Sequence, residues 1–315
     1  MGRNRVTVIG GGTGLAVLLR GLKQLPLDIK AIVTMTDNGA SSGRLRRDYG
    51  ILPPGDIRQC LASLADDEKL LTRLFNYRFE KGRGLSGHSF GNLFLVALTK
   101  ITGNFERAIS ESSRILAIRG KVIPSTLKNV NLGAELKNGQ IVLGEKDIPI
   151  MGHRSSIKRV FCVPNRVSAN PEALEALKKA DLILIGPGSL YTSIIPNFLI
   201  KNITQTILLN KKAKKVFICN ISTERGETER YTVEDHIDAL LCHSNPLLIT
   251  HCLVNSRIIN KNGHEGRLGS ISNITTKDSN YRACKIVKED LIDNSHPLFH
   301  DPVKLTKAIK KLFLQ

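Results

Sequence analysis

Glycines, hydroxyls, carboxylates and arginines gather in five short stretches of this 315-residue chain, and each stretch suits an anion or a sugar. The first is Gly10-Gly11-Gly12-Thr13-Gly14. Glycines let a backbone approach phosphate closely, and the open N–H groups of a following helix favour negative charge. Gly10 and Gly12 meet two positions of the G-x-G-x-x-G dinucleotide fingerprint, and Leu15 stands at the third. The second stretch carries Asp37, Asn38, Ser41, Ser42 and Arg44. Serine hydroxyls donate to phosphate oxygens and an arginine offers a two-pronged fork. Asp37 suits a ribose or sugar hydroxyl, or a divalent cation.

The third stretch holds Asp56 and Arg58, and the spacing of Asp56 to Gln59 predicts a capping box opening a helix through Ala65. The fourth, Leu85 to Asn92, presents His88, Ser89 and Asn92 at a helix start. The fifth is Gly186-Pro187-Gly188-Ser189-Leu190-Tyr191-Thr192-Ser193, which repeats the logic of the first.

Other chemistries fit poorly. Gly87 to Gly91 spells G-x-S-x-G, but a nucleophile elbow follows a buried strand, and Phe79 to Gly84 is charged and loop-like. Cys242-His243 and His251-Cys252 place would-be zinc ligands on opposite faces, so no metal site is expected. A nicotinamide oxidoreductase needs an acid/base pair, and only His88 offers itself.

These stretches need elements to position them. Val6 to Ile9 and Asp181 to Ile185 are apolar runs of the kind buried on both faces of a parallel sheet, and each feeds a glycine loop. Ile29 to Met35, Val216 to Cys219 and Leu247 to Val254 predict further strands, with helices over 13–24, 104–118, Pro171 to Ala180 and Val303 to Leu314. Thr232 and Asp235 predict the cap of a helix carrying His236. The loops at the carboxyl ends of such strands gather on one sheet edge, where ligands bind. The expected fold is α/β, a Rossmann-like, doubly wound, mostly parallel sheet. Short apolar runs between turn signals predict a β-rich insertion over 121–165, flanked by core halves at 1–120 and 166–315.

Composition narrows the class. Hydrophobic residues make up 41% of the chain, enough for a sizeable core. No apolar run approaches the ~18 residues of a membrane span, and the N-terminal run stops at Gly10, too early for a signal peptide. A cytoplasmic location follows, and the six scattered cysteines fit reduced, mostly buried thiols. Net charge is +18, yet basic residues are dispersed and tryptophan is absent, which argues against a nucleic-acid partner. Lys211 to Lys215 is expected to end a helix in solvent.

Taken in order, the five stretches resemble the YvcK/CofD-like family, the bacterial gluconeogenesis factors. Two departures stand out. Asp37-Asn38 and Gly39-Ala40 replace a pair of carboxylates and a pair of glycines, and residues 253–285 differ from the family pattern. The resemblance implies a cytoplasmic nucleotide-sugar binder of the UDP-N-acetylglucosamine type, needed for cell shape and gluconeogenic growth, without established catalysis. It also implies an alternative, a CofD-type transferase passing a 2-phospholactyl group from a guanosine diphosphate derivative to a deazaflavin. Magnesium enters only in that alternative, and a homo-oligomer is compatible with either. On the first reading Gly10 to Gly14 with Gly186, Pro187, Gly188, Ser189, Tyr191 and Thr192 hold phosphates, while Asp37, Asn38, Ser41, Ser42, Arg44, Asp56, Arg58, His88 and Asn92 face the sugar, with Arg44 and Arg58 also neutralising phosphate charge.

Overall fold

A computed structural model describes residues 3–66, 69–258 and 272–314. The strands in chain order are β1 (Arg5–Gly10), β2 (Asp28–Val33), β3 (Lys121–Pro124), β4 (Asn131–Leu136), β5 (Ile141–Leu143), β6 (Ile157–Val163), β7 (Leu182–Ile185), β8 (Lys214–Ile218), β9 (His251–Asn255), β10 (Asn280–Tyr281) and β11 (Cys284–Glu289). Among the described residues they form an eight-stranded sheet, β10-β11-β9-β8-β7-β1-β2-β3, and a three-stranded sheet, β5-β4-β6. The large sheet is parallel except where β10 runs against β11. The small sheet is antiparallel.

The site follows from this order. Val8 pairs with Ala31 of β2 on one side and Leu184 of β7 on the other. The chain therefore runs outward from β1 through β2 and β3, then restarts at β7 on the opposite flank. That reversal opens a crevice beyond the carboxyl ends of β1 and β7. Every residue of β7 is buried, as its unbroken apolar run requires.

Helix Gly12–Leu22 turns Leu15, Leu18, Leu19 and Leu22 onto the sheet at helical spacing. Its Gly21 admits the terminal helix Pro302–Phe313, since a Cβ there would collide with Thr306 and with the Pro302 carbonyl. That helix, expected over Val303 to Leu314, buries Leu305, Ala308, Ile309 and Phe313 in the core. The Thr232–Asp235 capping box also forms, and five of the six cysteines are buried and all are free.

Some expectations need correction. Asp56 does not cap its helix: Gly55–Leu64 starts from Pro54 with no side-chain cap, and the Asp56 carboxylate accepts a long-range hydrogen bond from the Gly12 N–H instead. Residues 121–124 are not part of the insertion, because β3 closes one edge of the main sheet. The lysine run does not simply follow a helix, since Lys214 and Lys215 belong to β8 and Lys215 is buried. Helix Lys69–Asn76 and the two-residue β10 are not among the expected elements, although Leu70, Leu71, Leu74 and Phe75 of that helix recur at helical spacing. Of the divergent 253–285 stretch, residues 259–271 lie outside the described ones.

Candidate functional site

Two glycine loops meet backbone to backbone at the crevice. A Cβ on Gly14 would stand 2.6 Å from the Pro187 carbonyl oxygen and 2.9 Å from the Gly188 nitrogen. Gly12 has φ +64 and Gly188 φ +155, conformations that favour glycine. Asn220, just past β8, holds the second loop. Its Nδ2 donates to the Gly188 carbonyl at 2.9 Å, and its Oδ1 accepts from the Gly188 N–H at 3.1 Å. The loops border a cleft of about 370 Å³, which residues 220–225 and 298–300 also line. Thr13 and Gly14 lie in the first turn of helix Gly12–Leu22, where backbone N–H groups have no partner within the helix. Arg225 lines the cleft and donates to His153 Nε2 at 2.9 Å, and His153 Nδ1 lies 2.8 Å from Glu229.

A wall of carboxyl groups stands beside the first loop. A Cβ on Gly11 would come within 2.6 Å of Asp56 Oδ2. Burial, then the charge of Asp37, pushes the Asp56 carboxyl up to about 8, against the pull of the Gly12 N–H. Glu145 is pushed to about 7 by burial and again by Asp37. It arrives from the turn after β5, where Asn38 Oδ1 accepts the Lys146 N–H at 3.0 Å and the Asn38 N–H donates to Glu145. The small sheet thus completes the site, which sequence reasoning missed: Glu145 lies in no recognisable motif.

A second acidic pair was missed too. Glu227 accepts from the Tyr191 N–H at 2.9 Å and from Thr192 Oγ1 at 2.6 Å, and burial followed by Glu224 raises it to about 8. Glu224 accepts from the Ser189 hydroxyl and from Asn220 Nδ2, the latter at 3.3 Å. The only sequence signal for this pair was its place in the polar loop after β8.

The remaining expected residues divide. Gly11 to Gly14 and Pro187 to Ser189 line the cleft. Tyr191 and Thr192 do not: the Tyr191 hydroxyl bonds Tyr231 at 2.8 Å, and Thr192 is spent on Glu227. Ser41, His88, Asn92 and Arg58 form one buried relay. Ser41 Oγ lies 3.0 Å from His88 Nδ1 and accepts from Asn92 Nδ2 at 2.9 Å, and Asn92 Oδ1 accepts from Arg58 Nε at 3.1 Å. Burial lowers both His88 and Arg58, which favours a neutral imidazole. Arg44 donates to the Ser86 carbonyl at 2.6 Å, and Ser42 Oγ accepts the Gly55 N–H at 3.1 Å. A larger groove, about 680 Å³ beside β3 and helix Phe105–Ile115, contains none of these residues.

A family model described as 2-phospho-L-lactate transferase CofD matches residues 6–292. The chain belongs to the CofD family. Within it, the chain resembles proteins named gluconeogenesis factor. It is 52% identical over 255 residues to the one from Bacillus subtilis, covering 81% of this chain and 80% of the relative. It is 50% identical over 259 residues to that of Halalkalibacterium halodurans, covering 82% and 80%. A Nostoc sp. relative is 56% identical over 236 residues, which is 75% of this chain and 51% of the relative's length. The crystal structure of a UPF0052-family protein from Bacillus halodurans superposes with a TM-score of 0.92 at 44% identity, covering 98% of this chain and 99% of that one.

Whether this CofD-family chain builds a magnesium site can be tested on its donors. Asn38 stands where a second carboxylate is expected and has its Oδ1 taken by Lys146, while Asp37 Oδ1 accepts the Gly39 N–H at 2.7 Å. Among the described residues, no three His, Cys, Asp or Glu side chains are placed to share a metal ion. Magnesium commonly takes one or two carboxylates together with substrate phosphates, and here it would rest on Asp37 and the phosphates of a bound ligand. No helix among them is long and apolar enough to cross a membrane.

Proposed function

We propose that this gluconeogenesis-factor relative binds a nucleoside diphosphate sugar, of the UDP-N-acetylglucosamine type, and acts as a cytoplasmic, non-catalytic regulator of cell shape and gluconeogenic growth. One observation carries the reading: a 370 Å³ cleft at the sheet's reversal point, bordered by two interlocked glycine loops and an arginine. On this reading the diphosphate lies over the Thr13 and Gly14 amides and is neutralised by Arg225. The sugar hydroxyls meet Asp37, Asn38 and Asp56. Asp56, protonated near neutrality, adds no charge against the phosphates.

The transferase alternative draws on the same carboxyl. A group titrating near neutrality suits a general acid or base, and Asp56 is raised to about 8. Calorimetric titration with UDP-N-acetylglucosamine, GDP and NAD, each with and without magnesium, separates the two. Metal-independent binding of the UDP-sugar, with the ligand recovered intact, is expected. Binding of GDP alone, dependent on magnesium, would replace this reading with the transferase.

A further inference from the structure

We infer that Phe299 is the platform on which the ligand's nucleobase stacks, an inference that rests on the nucleotide reading of the cleft. Phe299 is 54% exposed, the one phenylalanine among the strongly exposed large apolar side chains described. Among the described residues it is also the one phenyl ring lining the cleft that the glycine loops border. A single exposed apolar side chain is ordinary on a protein surface; what sets Phe299 apart is that its ring shares a cleft with both glycine loops.

The backbone around it is fixed. Ser222 Oγ donates to the Leu298 carbonyl at 3.1 Å, which ties the segment to the loop after β8. The Phe299 N–H donates to the His296 carbonyl at 2.9 Å, and its carbonyl accepts the Asp293 N–H at 3.1 Å. His300 is buried and donates to the Cys219 carbonyl at the end of β8. Asp301 then caps the terminal helix through Val303 and Lys304 N–H groups. Both neighbours of Phe299 are thus anchored while its ring projects, which is preorganisation for a flat partner.

Thr13, Gly14 and Phe299 line one cleft, so a diphosphate over the two amides and a base on the ring would share it. Stacking needs only a π-face, so the ring would take a pyrimidine or a purine. Phe299 then supplies affinity for the nucleoside, and base identity is set by other groups.

The chain contains no tryptophan, so Phe299→Trp gives a single reporter in the full protein. Titration with UDP is expected to quench its fluorescence, and inorganic pyrophosphate is expected to leave it unchanged. Phe299→Ala should weaken UDP binding about tenfold with its thermal unfolding unmoved, because the ring is exposed. Equal UDP affinity in Phe299→Ala and wild type, or a tryptophan signal unmoved at UDP saturation, overturns the inference. If the wild type binds neither UDP nor the UDP-sugar, the nucleotide reading itself has failed, and that outcome is distinct.

Discussion

The Asn220 side chain and the Gly188 backbone exchange two hydrogen bonds, at 2.9 and 3.1 Å, and so pin one glycine loop to the end of the neighbouring strand. The pair mimics a strand ladder where no strand continues. Asn220→Ala removes both partners from a part-buried peptide, and an unmade buried hydrogen bond costs about 1–3 kcal/mol. The urea midpoint of the variant should fall at unchanged slope, and UDP-sugar affinity should fall with it. A midpoint equal to wild type would mean that the loop is held by its other contacts.

How much of this was legible differs by residue. The apolar runs ending in Gly10 and Gly186 announced buried strands feeding glycine turns because burial on both faces leaves no polar alternation to misread. Thr232 and Asp235 announced a cap because both partners lie within one turn. Asp56 shows where local reading stops: its spacing to Gln59 fits a cap, but Gly12 is a better partner and lies 44 residues away in sequence. Glu145 was invisible for the same reason on a larger scale. It reaches Asp37 only because the small sheet docks beside the main one, and no local pattern encodes that. His88, Ser41 and Asn92 stood out as polar groups at a helix start, and the structure shows how densely they bond one another.

Gly14→Ala sets two effects against each other. Alanine in a helix is worth about 1 kcal/mol over glycine. Its Cβ, however, would sit 2.6 Å from the Pro187 carbonyl oxygen, a backbone atom that cannot rotate away. Overpacking of this kind costs about 1–3 kcal/mol, so the variant is expected to be destabilised and to bind nucleotide poorly. Gly50→Ala is the control: Gly50 has φ +64 but nothing within 4 Å. It should lose about 1 kcal/mol from backbone strain alone and keep its affinity. Calorimetric melting and titration of both variants decide the matter, and an unaffected Gly14→Ala would show that the loops can part freely.

Ser41→Ala tests the buried relay. Removing the hydroxyl strands His88 Nδ1 and Asn92 Nδ2 together, and both residues are buried. A loss of about 1–3 kcal/mol is expected, read as a lower melting temperature. If the relay acts by holding helix Phe90–Thr102 against Arg58, affinity for the UDP-sugar measured well below the melting point should stay within about twofold. A large loss of affinity at unchanged stability would instead put Ser41 in contact with the ligand.

The buried Glu227 makes stability depend on pH in a stated direction. Its carboxyl rises from an ordinary 4.5 to about 8, first through burial and then through Glu224. Between those values the folded chain keeps a proton that the unfolded chain has released, so stability falls as pH rises. The contribution is fully present below about 4.5 and lost as pH passes through about 8. Asp56, also raised to about 8, acts with the same sign. Glu227→Gln can still accept from the Tyr191 N–H through its carbonyl oxygen, and the Thr192 hydroxyl can turn to accept from the amide. Its urea midpoint should therefore decline less than that of wild type between pH 6 and pH 9. Parallel declines would place the titration elsewhere, and Asp56→Asn is then the variant to measure.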